Sequence, residues 1–84
     1  EITVYPNPVV DNLNTQIVTN VRSGSAYLTL YDNKGQQLLT KNIQLTGASI
    51  LHTFDMSKYA KGTYHLEVRI NNKLQETVTI VKGR

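Results

Sequence analysis

The stretch that decides the fold is AYLTLYDNKGQQL, residues 26–38. Apolar side chains alternate with Tyr and Thr over residues 26–31, which is the period-two pattern of a strand with one buried face. Asp32 and Gly35 then occupy the first and fourth positions of a tight turn, which suits a type I turn closed by a left-handed glycine. Apolar residues resume at Leu38, so we predict a β-hairpin around this turn.

The same alternation recurs on both sides of the hairpin. Residues 2–5 and 13–18 precede it, and residues 50–54, 64–70 and 74–82 follow it. Pro6 and Pro8 end the first strand, since proline removes donors from the ladder. Asn71 and Asn72 turn the chain between the last two strands, because asparagine tolerates a positive φ.

This count predicts an all-β fold with about seven short antiparallel strands. A single sheet of seven strands would leave one apolar face bare, so sheet-on-sheet packing is favoured. We therefore expect an Ig-like Greek-key β-sandwich. Residues 55–62 are the only segment with helical character. Asp55 or Ser57 could cap it and Gly62 would end it, which predicts at most one turn of 3₁₀ helix.

Composition agrees with a small sheet protein. Val, Ile and Thr make up 24 of 84 residues, and a chain of this length forms one domain, residues 1–84. There is no cysteine, and the net charge of +3 is carried by scattered cations, which predicts no nucleic-acid surface. No apolar run approaches the roughly 20 residues of a membrane-spanning helix. The chain starts at Glu1, inside a predicted strand and with no initiator methionine, so we expect a fragment of a larger protein.

The residues that carry chemistry do not cluster along the sequence. His52 and His65 both fall inside strands, with His65 on the outward face. The six acidic residues are spread out, and Lys34 would repel a cation in the turn after Asp32. We therefore expect no catalytic residues, no cofactor site and no metal site, and we do not expect an enzyme.

Two tyrosines share the outward face of the hairpin's first strand. Tyr27 and Tyr31 lie on either side of Thr29 and could form a platform on which a sugar or a base stacks. Without tryptophan, cross-strand packing over a partly buried face is the favoured interpretation. The sequence alone leaves both open.

Three blocks together resemble a known family. They are YPNP at residues 5–8 followed by DNL at 11–13, LYDNKGQQL at 30–38, and FDMS at 54–57 followed by KGTYHLEV at 61–68 and TVTIVKGR at 77–84. In this order and spacing they resemble the type A C-terminal sorting domain of cargo proteins of the type IX (Por) secretion system of Bacteroidota. Tyr59 is a mild departure, since the family often has leucine there.

The resemblance implies a function and a set of partners. Such a domain follows a larger passenger that enters the periplasm, and it is recognised by the outer-membrane translocon and its shuttle protein. A sortase-like peptidase then removes it, and the passenger reaches the cell surface or the medium. The implied recognition residues are those of the motifs: Tyr5, Pro6, Asn7, Pro8, Tyr31, Asp32, Gly35, Gly62, Thr63, Tyr64, Lys82 and Arg84.

Other interpretations stay open beside this one. The prolines, Asn7, Asp32 and the glycines of the motifs could recur because turns require them. The alternative function is an Ig-like or fibronectin-like accessory or carbohydrate-binding module of a secreted hydrolase. A chain ending at Lys82-Gly83-Arg84 favours the sorting signal, which must lie last in its polypeptide. We expect the basic residues Lys73, Lys82 and Arg84 to be exposed, and an edge strand to permit strand addition or a weak homodimer.

Overall fold

The computed structural model describes all 84 residues, Glu1 to Arg84. Seven antiparallel strands form two sheets, and there is no helix. The strands are β1 (Ile2–Tyr5), β2 (Asn12–Ile17), β3 (Ser25–Asp32), β4 (Gln37–Gln44), β5 (Ile50–Asp55), β6 (Gly62–Ile70) and β7 (Lys73–Lys82). The three-stranded sheet has the order β1-β2-β5 and the four-stranded sheet the order β4-β3-β6-β7. The predicted seven-stranded β-sandwich is confirmed.

The connections explain how the two sheets enclose one core. The β1–β2, β3–β4 and β6–β7 pairs stay within a sheet, whereas the chain crosses between sheets after β2, β4 and β5. These crossings place β3 beside β6, which is far away in sequence, as in a Greek-key sandwich. The inner faces of both sheets then meet and exclude water from their apolar side chains.

The core follows directly from the alternation in the sequence. On β6, every second side chain from Tyr64 to Ile70 is buried, while those between them are half-exposed. The same alternation on β2 and β3 supplies inward-facing residues from both sheets. The core comprises Val9, Leu13, Ile17, Ala26, Leu28, Leu30, Leu45, Phe54, Met56, Tyr64, Leu66, Val68, Ile70 and Ile80.

The β3–β4 turn forms as its sequence predicts. The Gly35 amide donates to the Asp32 carbonyl at 3.1 Å, closing the turn, and Gly35 has a φ of 85°. The Asp32 carboxylate accepts hydrogen bonds from the amides of Lys34 and Gln36, both at 2.9 Å. This carboxylate therefore organises the turn from within.

The β6–β7 turn does more than reverse the chain. Asn71 and Asn72 have φ values of 51° and 67°, as expected for asparagine at these positions. The Asn71 carboxamide also accepts from the Ser25 amide at 3.0 Å and donates to the Ser23 carbonyl at 3.2 Å. It thereby ties the β2–β3 loop to the β6–β7 turn, a long-range contact that the sequence pattern does not predict.

The expected helical turn at residues 55–62 is reduced to a single hydrogen-bonded turn. Only one hydrogen bond of helical spacing forms there, from the Tyr59 amide to the Met56 carbonyl at 3.0 Å, and the segment is a turn. The expected cap is present, because the Asp55 carboxylate accepts from the Ser57 amide at 3.0 Å. Met56 is fully buried in the core.

Candidate recognition surface

Parts of all three sequence blocks meet at one end of the four-stranded sheet. There the end of β3 lies beside the start of β6, which lies beside the end of β7. Asp32 pairs with Tyr64, which pairs with Ile80, and Gly62 pairs with Lys82. We call this end, formed by residues 5–9, 31–36, 61–64 and 79–84, the motif end of the sandwich. Antiparallel pairing joins β3, β6 and β7 there, and the segment after β1 attaches through the Asn7 side chain and a parallel bridge at Val9.

Asn7 attaches the segment after β1 to the edge of β7. Its Nδ2 donates to the Thr79 carbonyl at 2.9 Å, and its Oδ1 accepts from the Val81 amide at 2.8 Å. The carboxamide thus reproduces the donor and acceptor that a residue of a neighbouring strand would present. The flanking prolines, both preceded by cis peptide bonds, have no amide hydrogen to contribute.

Val9 continues this cover beyond the second proline. Its amide donates to the Val81 carbonyl, and its carbonyl accepts from the Gly83 amide, both at 2.8 Å. A parallel bridge joins Val9 to Lys82, and the Val9 side chain is fully buried. The edge of β7 is therefore closed over residues 79–83, which removes the row of unpaired backbone groups that an edge strand exposes.

A shallow depression of about 330 Å³ lies between the β3–β4 turn and the start of β6. Two cations, Lys34 and Lys61, stand on its rim, and the His65 Nε2 lies 3.4 Å from the Asn33 Oδ1 at its side. The Asp32 carboxylate is already bonded to the turn. The lining is mostly polar and comprises Asp32, Asn33, Lys34, Gln36, Lys61, Gly62, Thr63 and Tyr64.

Tyr64 holds the corner between β5 and β6. Its side chain is 7% exposed, and its hydroxyl donates to the Ala60 carbonyl four residues upstream. This is the arrangement of a tyrosine corner in Ig-like sandwiches. The Tyr59 ring packs against it with 5.8 Å between ring centroids. Tyr64 therefore holds the corner from its buried side, while Gly62 and Thr63 form the accessible part of the corner.

The expectation that Lys82 is exposed is wrong. Its side chain is 3% exposed because it lies on the inward face of β7, two residues after the buried Ile80. Its Nζ donates to the carbonyls of Gly83 and Arg84 at 3.1 and 3.0 Å. The aliphatic stem is thus buried while the ammonium finds backbone partners. Arg84 and Lys73 are exposed as expected.

The remaining motif residues form the accessible part of the motif end. Tyr5 is 43% exposed, and Pro6, Asn7, Pro8, Gly35 and Gly62 are also exposed, whereas Tyr31, Asp32 and Thr63 are half-buried. Their structural roles are visible for Asn7, Asp32 and Gly35. These residues can stabilise the fold and also contact a partner, because each bonds to the chain on one side and is open to solvent on the other.

The titratable groups lie apart from one another. His52 is half-buried between the sheets, edge-on to Phe54, and burial together with the nearby Lys41 ammonium lowers its pKa. Hydrogen bonds from Ser57 lower the pKa of the exposed Asp55 carboxyl. No group of three or more His, Cys, Asp or Glu side chains lies close enough together to hold a metal ion. The structure contains no helix with the length and apolar character of a membrane span.

The chain matches the family described as "Secretion system C-terminal sorting domain" over residues 3–82, nearly its whole length. It belongs to this family of type IX sorting domains. The resemblance carried by the three blocks is thereby confirmed, and the domain is a C-terminal signal for type IX secretion. Among curated proteins, no sequence matches the chain.

Membership sets the coarse function of the sorting domain. The family is one of export signals and not of catalysts. A sorting domain of this kind interacts with the secretion machinery, and its cargo is destined for the cell surface or the exterior. Parts of the family's three blocks lie together at the motif end.

Sequence reasoning missed several residues of the motif end. Val9 completes the cover of β7, the Thr79 carbonyl accepts the hydrogen bond from Asn7, and Lys61 contributes a cation to the depression. Val9 lies directly after the proline segment of the first block, so its position in the sequence could have indicated that it belongs to the motif end. Nothing local marks Thr79 as a partner of Asn7, because the contact spans some 70 residues of chain.

Proposed function

We propose that residues 1–84 form the single sorting domain of a larger cargo protein and act as a removable export address. The passenger crosses the periplasm with this domain attached, the outer-membrane translocon and its shuttle protein bind the folded domain, and a sortase-like peptidase then cuts it off. The domain itself has no enzymatic activity in this proposal. Family membership supports the export role, and the finer steps rest on the resemblance of the three blocks.

The observation that carries the proposal is the convergence of these blocks. Segments separated by up to 74 residues meet at the motif end, where a partner can read them together. We propose that the exposed or half-exposed residues are read directly and that Tyr64 and Lys82 hold the surface in shape. The direct set is Tyr5, Pro6, Asn7, Pro8, Tyr31, Asp32, Gly35, Gly62, Thr63 and Arg84.

Charge at the motif end gives the partner surface its chemistry. Lys34, Lys61 and Arg84 are exposed there, whereas Asp32 is engaged in its own turn. An acidic surface on the machinery would complement these cations, with its main effect on the rate and specificity of encounter. Lys34 and Lys61 stand on the rim of the depression, so their charges can be reversed without removing a core contact.

The first test is a secretion assay with residues 1–84 fused behind a periplasm-directed fluorescent reporter. The host is a Bacteroidota strain with or without a working type IX translocon. We expect reporter at the cell surface or in the medium only when the translocon works. The exported reporter should be about 9.5 kDa smaller than the fusion, because the domain has been removed.

Charge reversal tests the motif end itself. Deleting residues 81–84 is unsuitable, since it also removes the hydrogen bonds to Asn7 and Val9. The double variant Lys34→Glu/Lys61→Glu should instead reduce export about tenfold, a change of about 1.4 kcal/mol in recognition. The control double variant Arg22→Glu/Lys73→Glu changes the charge equally at exposed sites near the opposite end and should export normally.

Three outcomes contradict parts of the proposal. A folded, intact fusion retained in the periplasm of both strains argues against an address and favours an accessory module. Equal export of the two double variants argues against reading of the motif-end cations. Exported reporter that keeps its full length argues against removal of the domain. Circular dichroism of each purified domain variant checks that folding is unchanged.

A further inference from the structure

The outer face of the four-stranded sheet extends beyond the proposed recognition surface, which includes Tyr31 at one end of this face. Tyr27 and Tyr31 on β3 both point away from the core, and four residues of extended chain separate them by about 13 Å. Tyr27 is 43% exposed and Tyr31 is half-exposed. Two aromatic rings are thus presented on one sheet face along β3, an inner strand of the sheet.

A second depression, of about 270 Å³, adjoins Tyr27. It is lined by Gly24, Ser25, Tyr27, Asn71 and Asn72. The bonds that the Asn71 carboxamide makes to Ser23 and Ser25 fix this wall in place. The Ser25 hydroxyl and the exposed Asn72 carboxamide supply donors and acceptors beside the ring. One aromatic wall and several polar groups therefore border a concave site.

The strands on either side add polar groups in register with the tyrosines. Asn42 and Arg69 flank Tyr27 on β4 and β6, and the Asn42 Nδ2 lies 3.5 Å from the Tyr27 hydroxyl. Arg69 is paired with Glu67 at 2.9 Å, so the two charges on this face cancel. A platform with balanced charge has no electrostatic preference for a polyanion such as a nucleic acid.

We propose that this face binds a neutral oligosaccharide that runs along β3. A sugar ring offers an apolar face of C–H groups and a rim of hydroxyls, which match an aromatic ring bordered by amides and hydroxyls. One sugar stacks on Tyr27 beside the second depression, and a later sugar of the chain reaches Tyr31. The balanced pair of Arg69 and Glu67 gives an anionic chain no electrostatic advantage over an uncharged one.

Titration of the ¹⁵N-labelled domain with neutral hexasaccharides tests this site. Cellohexaose, xylohexaose and mannohexaose are the probes, and amide shifts in NMR spectra are the measurement. At least one probe should shift the amides of residues 25–31, 42 and 69–72 with a Kd of about 1 mM or tighter. Tyr27→Ala should weaken binding at least about fivefold, which is about 1 kcal/mol.

Tyr5→Ala is the matched control, because Tyr5 is also 43% exposed but lies on the outer face of the other sheet. It should leave the Kd unchanged. Asn72→Ala provides a second site variant should Tyr27→Ala fail to fold, and it should weaken binding about threefold. No shift with any hexasaccharide at about 10 mM, or equal loss in Tyr5→Ala, overturns the proposal. Binding only to dextran sulfate, lost as salt rises, overturns it as well.

Discussion

The carboxamide of Asn7 completes the edge of β7 by bonding to the backbone on either side of Ile80, and the Val81 amide is its donor at 2.8 Å. The same side chain donates to the Thr79 carbonyl at 2.9 Å. A single side chain thus takes the place of one residue of an eighth strand. Because Asn7 and Val81 lie 74 positions apart, this contact joins the beginning of the domain to its end.

Asn7→Ala tests the strength of this link. The variant loses two hydrogen bonds to the backbone, each contributing about 0.5–1.5 kcal/mol, so we expect a destabilisation of about 1–2 kcal/mol. Urea denaturation measures the free energy of unfolding, and hydrogen exchange measures the Val81 amide, which should exchange faster. Asn20→Ala, at an exposed site in the β2–β3 loop, should change stability by less than about 0.5 kcal/mol. An unchanged exchange rate at Val81 contradicts the link.

Two glycines with similar backbone angles should respond differently to alanine. Gly35 has open space where the added methyl group would lie, so Gly35→Ala costs only the left-handed strain of about 1–2 kcal/mol. At Gly24 the added Cβ would lie 1.8 Å from the Asn71 Oδ1, which must then give up its bond to Ser25. We expect Gly24→Ala to cost about 1–3 kcal/mol more than Gly35→Ala in thermal or chemical unfolding. Equal losses would show that the Asn71 contact has little effect on stability.

Thr15 offers a substitution that should stabilise the domain. Its side chain is fully buried on β2, and its Oγ1 has no hydrogen-bond partner. Thr15→Val keeps the shape and removes the unsatisfied hydroxyl, so we expect a gain of about 1–2 kcal/mol in urea denaturation. Thr19→Val should act in the opposite direction, because the Thr19 Oγ1 accepts from the Val21 amide at 3.2 Å. A loss of stability in Thr15→Val contradicts the expectation.

His52 should make the domain less stable in mild acid. Burial, followed by the Lys41 charge, lowers its pKa in the folded state below the ordinary 6.5 of the unfolded chain. The unfolded state therefore binds more protons in this range, and stability falls as the pH drops from about 7 through 6.5 toward the folded pKa. Denaturation at several pH values and NMR titration of the imidazole measure the effect.

His52→Gln should remove that part of the pH dependence, whereas His65→Gln should leave it in place. Lys41→Gln should raise the pKa of His52 part of the way toward its ordinary value, since burial remains the larger cause. If His52→Gln retains the full acid-linked loss of stability, another group is responsible.

Local patterns predict the strands and both tight turns because their determinants are close in sequence. Asp32 and Gly35 define their turn within four residues, and Asn71 and Asn72 adopt positive φ through their own side-chain chemistry. The alternation on β6 likewise specifies which side chains face the core. Here the sequence contains the relevant partners in one short window.

Long-range contacts limit the rest of the prediction. Asp55 carries the capping chemistry of a helix, but the segment after it forms a turn whose Met56 side chain is buried in the core. Lys82, a charged residue near the end of a strand, has the sequence character of a surface residue, yet the register of β7 turns it inward. The bonds of Asn7 depend on a strand that lies at the other end of the chain. Each of these outcomes is set by the tertiary fold and not by neighbouring residues.

Because Asn7 and Val9 close the β7 edge, the motif end forms only in a chain that still contains the end of β7. Asn7 and Val9 bond to the backbone of residues 79–83, which are the last of the strand to be made. A chain that stops short of Thr79, or that is clipped before it folds, cannot assemble this end. A receptor that binds the motif end would thereby bind the folded domain and not a copy that is cut before Thr79.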